Sequence, residues 1–215
     1  MNQKGVIFDL DGVIVNTAKY HYLGWKRLAD ELGVPFDEKK NERLKGVSRR
    51  DSLILLLGYT PDEGKIQEWC DRKNGYYLDF ISKIDRGDLL PGALELIQEI
   101  RNAPGWKQAI ASASKNTKLI LKRLDIASLF DTIVDGHDFE RTKPDPEVFV
   151  KAAARLHLPP ERLVVVEDAE AGVRAAKAAG MLAIGLGRPD VLKQADLVVS
   201  DLAHVRLARI ERLFG

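Results

Sequence analysis

The stretch VIFDLDGVIVNT spans residues 6–17. Three apolar residues lead into Asp9, Leu10 separates it from Asp11, and Gly12 follows. Side chains two apart on a strand share a face. The spacing therefore predicts two carboxylates pointing the same way, where a buried strand runs out. Two like charges so close repel unless a cation or a proton neutralises them. Similar runs rich in Val and Ile recur, so that strands are expected at 5–9, 108–113, 132–135, 163–167, 182–186 and 197–200. Near-continuous hydrophobicity without alternation marks strands buried on both faces, hence a parallel sheet. Helical periodicity lies between them at 92–101, 117–124, 147–156 and 171–179. Strands alternating with helices predict an α/β doubly wound fold.

Residues 17–88 break that rhythm. The segments 20–32, 51–57 and 66–84 read as helices, Leu23, Leu28 and Leu32 forming the apolar stripe of the first, and no strand pattern occurs among them. The expectation is an all-helical domain at 17–88, inserted into a core formed by 1–16 and 89–215. Its hinges are expected at 15–17 and 87–91, where charge, Gly and Pro cluster.

The chain has 215 residues, enough for one core with a smaller insertion. Hydrophobic residues make up 45% and charged residues 30%, an ordinary globular balance. The net charge of +1, without long runs of one sign, argues against a nucleic-acid surface or a polybasic membrane patch. No apolar run approaches a membrane span, and the first residues lack a signal-peptide pattern. The one cysteine, Cys70, reads as an inert thiol and fits a reducing cytoplasm.

In open parallel sheets ligands bind beyond the carboxyl ends of the strands, so each strand end is informative. The first carries Asp9 and Asp11, the second Ser112, and the fourth Glu167 and Asp168, while Lys143 lies in TKPDP. An Asp can attack phosphorus, and a second can protonate the leaving oxygen. A serine hydroxyl and a lysine can hold the phosphoryl oxygens, and further carboxylates suit Mg2+. Together these are parts for magnesium-assisted phosphoryl transfer.

The motifs DLDGV, SAS, KPDP and ED, at these intervals and over the whole chain, resemble the haloacid dehalogenase-like superfamily. The resemblance implies a Rossmann-like core with a helical cap. It implies Asp9 as nucleophile and Asp11 as general acid/base. Asp9, Asp168 and the backbone carbonyl of Asp11 would ligate magnesium, with Glu167 beside them. Ser112 and Lys143 would hold the phosphoryl group. The runs TAKYHYLGW, RLKGVSRRDS, DRKN, IASASKN and GLGRPD resemble, within that superfamily, the β-phosphoglucomutase family. This implies a small phosphosugar substrate, a monomer, and glucose 1,6-bisphosphate as activating intermediate. Arg49 would take the distal phosphate, as its planar fork allows. Lys45, Gly46, Ser48 and Ser52 would line the sugar pocket. Ala113, Ser114, Lys115 and Asn116 would contribute from the core. Thr17 and His21 would sit at the hinge with Lys73 near them, and Trp25 would be counted on the substrate side. One position departs from many relatives: Asn16 stands where an acid precedes the Thr or Ser.

Plainer readings stand beside these. Asp145 and the Glu167-Asp168 pair can cap helices. Arg49 can be a solvated helix-start arginine beside Arg50, and His21 an ordinary helix histidine. Trp25, Trp69, Trp106 and the pair Tyr76-Tyr77 can be packing residues. Two rival functions are a sugar-phosphate phosphatase on the same scaffold and a non-catalytic phosphosugar-binding protein; the intact acid pair argues against the second.

Overall fold

A computed structural model describes residues 3–44 and 47–215. The chain forms two compact units, one of residues 1–16 with 85–215 and the other of 17–84.

The first unit, the core unit, is a six-stranded sheet. Its strands are β1 (Lys4–Phe8), β2 (Trp106–Ala111), β3 (Thr132–Val134), β4 (Leu163–Glu167), β5 (Leu182–Leu186) and β6 (Leu197–Val199). All pairings are parallel, in the order β3-β2-β1-β4-β5-β6. The order reverses between β1 and β4, where doubly wound folds open a crevice at the carboxyl ends of the strands. Phe8 pairs with Val166, so Asp9 leaves the sheet beside Glu167; its amide donates to the Val166 carbonyl at 3.0 Å. Val6, Ile7 and Phe8 are all fully buried, as a strand covered on both faces requires. Ile7, Ala109 and Val165 pack with the helices that follow β3 and β4, at Glu147–Leu156 and Glu170–Ala178.

The second unit, the helical unit, contains α1 (Ala18–Glu31), α2 (Glu38–Glu42), α3 (Arg49–Leu57) and α4 (Glu63–Ile81). Trp25, Leu28, Phe36, Leu53, Leu56 and Ile66 form its own core. Ser48 caps α3, its hydroxyl accepting from the Asp51 amide, and Asp62 caps α4 through the Lys65 amide. Gly58 ends α3 in the left-handed conformation, with φ of 77°.

The return to the core unit comes at residue 85, ahead of the expected 89. Asp85 caps a short 3₁₀ turn, Arg86–Asp88, and Asp88 accepts from the Asp85 amide in return. Arg86 donates to the Leu124 and Asp125 carbonyls, which ties that turn to the core unit. Sequence periodicity does not predict α2: EKKNE has no buried residue and no apolar period. Among the described residues no helix is long and apolar enough to cross a membrane.

Candidate active site

The carboxyl ends of β1 and β4 bring Asp9, Glu167 and Lys143 together. Lys143 is 2% exposed, and its Nζ donates to Asp9 Oδ1 at 2.5 Å and to Glu167 Oε1. The ammonium also lies 4.9 Å from the Phe149 ring centroid. Burial alone would lower the lysine pKa, but Asp9 and Glu167 outweigh it and hold Lys143 above its ordinary value. Burial pushes Asp9 well up, Lys143 opposes this, and Glu167, Asp11 and Asp168 push it further. The cluster thus holds more negative charge than one lysine offsets, a demand that a bound cation meets.

Glycines let the acids approach. Gly12 has φ of +83°, and a Cβ there would lie 2.2 Å from Asp168 Oδ2. The Asp168 carboxylate therefore lies against the loop after β1 because residue 12 lacks a side chain. A Cβ on Gly172 would lie 1.9 Å from Glu167 Oε1. Sequence reasoning missed Gly172; the small-residue run AEAGV was its only signal.

Among the described residues no three His, Cys, Asp or Glu side chains already enclose an ion position. Magnesium does not need such a cage, since it keeps several waters and takes one or two carboxylates. The hard oxygen donors of Asp9 and Asp168, in an acid-rich site opened by Gly12, fit that ion. Glu167 differs. Its Oε1 accepts from Lys143 and its Oε2 from the Ala169 amide at 2.9 Å. Each oxygen thus has one donor, which ties Glu167 to the lysine and to the following turn and leaves each oxygen a further lone pair.

Ser112, at the end of β2, is buried, and its Oγ accepts from the Ser114 amide at 3.1 Å. Ser114 Oγ accepts from the Asn116 amide and its carbonyl from the Thr117 hydroxyl. Residues 112–117 therefore form a turn of successive serine contacts from which Lys115 is exposed. Ala113 lies against Gly136, where a Cβ would come 2.4 Å from its carbonyl oxygen. Asp145 accepts from the Glu147 amide at 3.0 Å, just ahead of Pro146, which holds the N-cap position of the following helix.

The helical unit holds a second ionisable cluster. Lys73 is 2% exposed, with its Nζ 2.9 Å from His21 Nδ1. The same ammonium lies 5.1 Å from the Trp25 ring and 4.8 Å from Tyr77. Gly24 leaves room for it, since a Cβ there would sit 3.2 Å from Lys73 Cε. Burial, then Lys73 and Arg49, hold His21 well below its usual pKa, as a neutral imidazole able to accept from the ammonium. Arg49, half-buried at the start of α3, donates from Nη2 to Asn74 Oδ1 at 2.8 Å. Asn74 closes the run DRKN, but sequence reasoning gave it no role, since an Asn in a helix gives no periodic signal.

Several expected cap residues have structural occupations. Ser48 is the α3 cap, with its Oγ 2.7 Å from Asp51 Oδ2. Ser52 is buried, its hydroxyl 3.5 Å from the Leu44 carbonyl. Trp25 is 3% exposed and packs in the helical core, as the packing reading expects. Thr17 is buried, and its carbonyl accepts from the Tyr20 and His21 amides. Tyr77 is buried core, but Tyr76 is half-buried with its hydroxyl on Glu31. Lys45 and Gly46 lie outside the described residues. Burial pushes the Cys70 thiol up, as an inert thiol requires.

A family profile described as haloacid dehalogenase-like hydrolase matches residues 6–186. The chain is 46% identical to a protein named beta-phosphoglucomutase from Bacillus subtilis, over 95% of this chain and 92% of the other. It is 31% identical to a phosphorylated carbohydrates phosphatase from Thermotoga maritima, over 83% of this chain and 82% of the other. The fold superposes with a TM-score of 0.95 on the crystal structure of a beta-phosphoglucomutase from Clostridium difficile, at 37% identity, covering 99% of this chain and 97% of that one. With its acid-lysine cluster at the switch point of the sheet and a profile match over most of its length, the chain belongs to the haloacid dehalogenase-like hydrolase family.

Proposed function

We propose that this protein is a β-phosphoglucomutase, an isomerase that interconverts β-glucose 1-phosphate and glucose 6-phosphate through β-glucose 1,6-bisphosphate. The observation that carries the reading is the buried Lys143 bridging Asp9 and Glu167 at the end of β1, in a chain 46% identical to a beta-phosphoglucomutase.

Asp9 is the nucleophile. Its carboxylate oxygen forms a bond to phosphorus as the bond from phosphorus to the sugar oxygen breaks, leaving an aspartyl phosphate. Asp11 gives a proton to the departing oxygen and takes one from the sugar hydroxyl that attacks in the reverse transfer. Lys143 holds Asp9 in place and offsets charge on the transferring group, and Glu167 fixes Lys143. Ser112 and the 113–116 turn receive phosphoryl oxygens. Asp9, Asp168 and the Asp11 backbone carbonyl hold Mg2+, which when bound neutralises the phosphate charge.

The bisphosphate is made when the phosphorylated Asp9 donates to the free hydroxyl of a sugar monophosphate. It rebinds in the other orientation and returns its other phosphoryl group to Asp9. This requires a second anion site for the phosphate that is not reacting. Arg49 of the helical cap supplies it, with Lys45 and Gly46 contributing to the sugar pocket. His21, Lys73 and Thr17 belong to the cap end of the same site. Closure of the cap excludes water, so the phosphoryl group passes to sugar. We place this enzyme in the cytoplasm as a monomer.

The T. maritima relative supports a second reading, a sugar-phosphate phosphatase. One assay separates the two. The protein receives β-glucose 1-phosphate, Mg2+ and a trace of glucose 1,6-bisphosphate, and glucose 6-phosphate and free phosphate are followed together. The mutase forms glucose 6-phosphate with little free phosphate. Free phosphate rising in step with substrate loss overturns the mutase reading.

A further inference from the structure

Two consecutive arginines start α3 and are treated in opposite ways. Arg50 is exposed and forms a two-point ion pair with Glu63, Nη1 to Oε2 at 2.6 Å and Nη2 to Oε1 at 2.7 Å. Its charge is spent locally. Arg49 is half-buried and donates from Nη2 to the side-chain amide of Asn74 at 2.8 Å. No carboxylate of the described residues forms an ion pair with it, and Asp71 acts on it only at longer range.

α4 holds residue 49 at two points. Asn74 takes its guanidinium, and the Cys70 thiol lies 3.8 Å from its backbone carbonyl. Residues four apart on a helix lie on one face, so one face of α4 grips both ends of this arginine. A neutral amide fixes the direction of a guanidinium without cancelling its charge, and a carboxylate in the same place would cancel it. The remaining guanidinium donors keep a full positive charge to offer an anion.

We propose that Asn74 is a positioning residue that presents Arg49, still fully charged, to the non-reacting phosphate of the substrate. The inference rests on the assignment of Arg49 to that phosphate under the proposed function. Its content is that neutrality at position 74 matters as much as the hydrogen bond.

Asn74→Asp is the direct test, because aspartate has nearly the same shape and can still accept from Arg49. Wild type, Asn74→Asp, Asn74→Ala and Arg49→Ala are compared, with both Asn74 changes repeated on Arg49→Ala. Each is assayed for KM with β-glucose 1-phosphate, apparent affinity for glucose 1,6-bisphosphate, and kcat; melting temperature reports the fold. Asn74→Asp is expected to weaken bisphosphate affinity by about tenfold, as a new partly buried ion pair must be broken. Asn74→Ala is expected to weaken it about threefold through lost orientation. Neither is expected to move kcat at saturation, and both effects should vanish in the Arg49→Ala background, since coupled residues are not additive.

A merely structural asparagine predicts the reverse pattern: Asp tolerated, Ala harmful to melting temperature, and effects that persist without Arg49. That pattern overturns the proposal. If Arg49→Ala weakens affinity while Asn74→Asp does not, the inference fails and the assignment of Arg49 stands. An unchanged affinity in Arg49→Ala removes both. Should Asn74→Asp melt early, Asn74→Ala and its double variant decide the matter: an effect lost without Arg49 supports the proposal, and an additive effect overturns it.

Discussion

The core unit and the helical unit each hold a buried ionisable cluster, acid-rich in the first and cationic in the second. At the end of β1, Asp9, Glu167, Asp11 and Asp168 act on one another with Lys143 as the buried cation. In the helical unit, Lys73 and Arg49 act on His21, with Lys73 beside the His21 ring and Arg49 on the Asn74 amide. Under the proposed function the first cluster serves a divalent cation with a phosphoryl group and the second the distal phosphate. The means of construction differ as well. Backbone register places Asp9 beside Glu167, whereas the helical cluster depends on side chains reaching between α1, α3 and α4.

The largest effect that tests this contrast is Asp9→Asn. It should abolish phosphoryl transfer in single- and multiple-turnover assays while leaving the melting temperature near or above wild type, because it removes one buried negative charge. Residual turnover within about tenfold of wild type would remove Asp9 as the nucleophile. Lys143→Met is next, with a loss of kcat of about 10²–10³-fold, the scale of a removed transition-state cation. Raising Mg2+ should not restore it if the lysine's role is local. The stability contributed by Lys143 follows from its raised pKa. It is fully present below the ordinary lysine range and is lost only as pH rises through the higher folded value.

The two arginines sharpen the cap side. Arg49→Ala should weaken affinity for glucose 1,6-bisphosphate by about tenfold or more, a loss of at least ~1.4 kcal/mol. Arg50→Ala, which removes an exposed pair, should change it less than about twofold. Equal effects would mean that the pairing of Arg50 with Glu63 does not distinguish the two residues. The smallest effect lies outside both clusters. Lys151 first, then the Arg141 amide, hold Glu147 down to about 2. Its contribution to stability is present above the ordinary glutamate pKa and is lost as pH falls from there toward about 2. Glu147→Gln should flatten that part of a melting-temperature profile against pH without altering activity at neutral pH.

The strands were readable in the sequence because burial on both faces leaves unbroken Val and Ile runs: LVVVE at 163–167 and LAIGL at 182–186 became β4 and β5 with the expected bounds. The residues gathered at the strand ends were readable for the same reason, since a parallel sheet puts them on one edge. Short polar elements were not. EKKNE is capped by Asp37, and the turn at Arg86–Asp88 is closed by a local acid exchange that no periodicity announces. Side-chain occupation was the least readable. Nothing in the sequence announced that Ser48 caps α3 or that the Ser52 hydroxyl is buried beside the Leu44 carbonyl. Gly172 and Asn74 act by what they lack, a Cβ in one and a charge in the other, and neither absence stands out in a sequence.

The most direct test is where the phosphoryl group rests. The protein is mixed with substoichiometric glucose 1,6-bisphosphate and Mg2+, quenched in acid within milliseconds, digested, and the phosphorylated carboxylate located by mass spectrometry. The phosphate is expected on Asp9, in a peptide containing VIFDLDGV, and absent from Asp9→Asn. A phosphate on Asp11, Asp168 or Ser112, or turnover with no trapped phosphoenzyme at any quench time, would contradict the account.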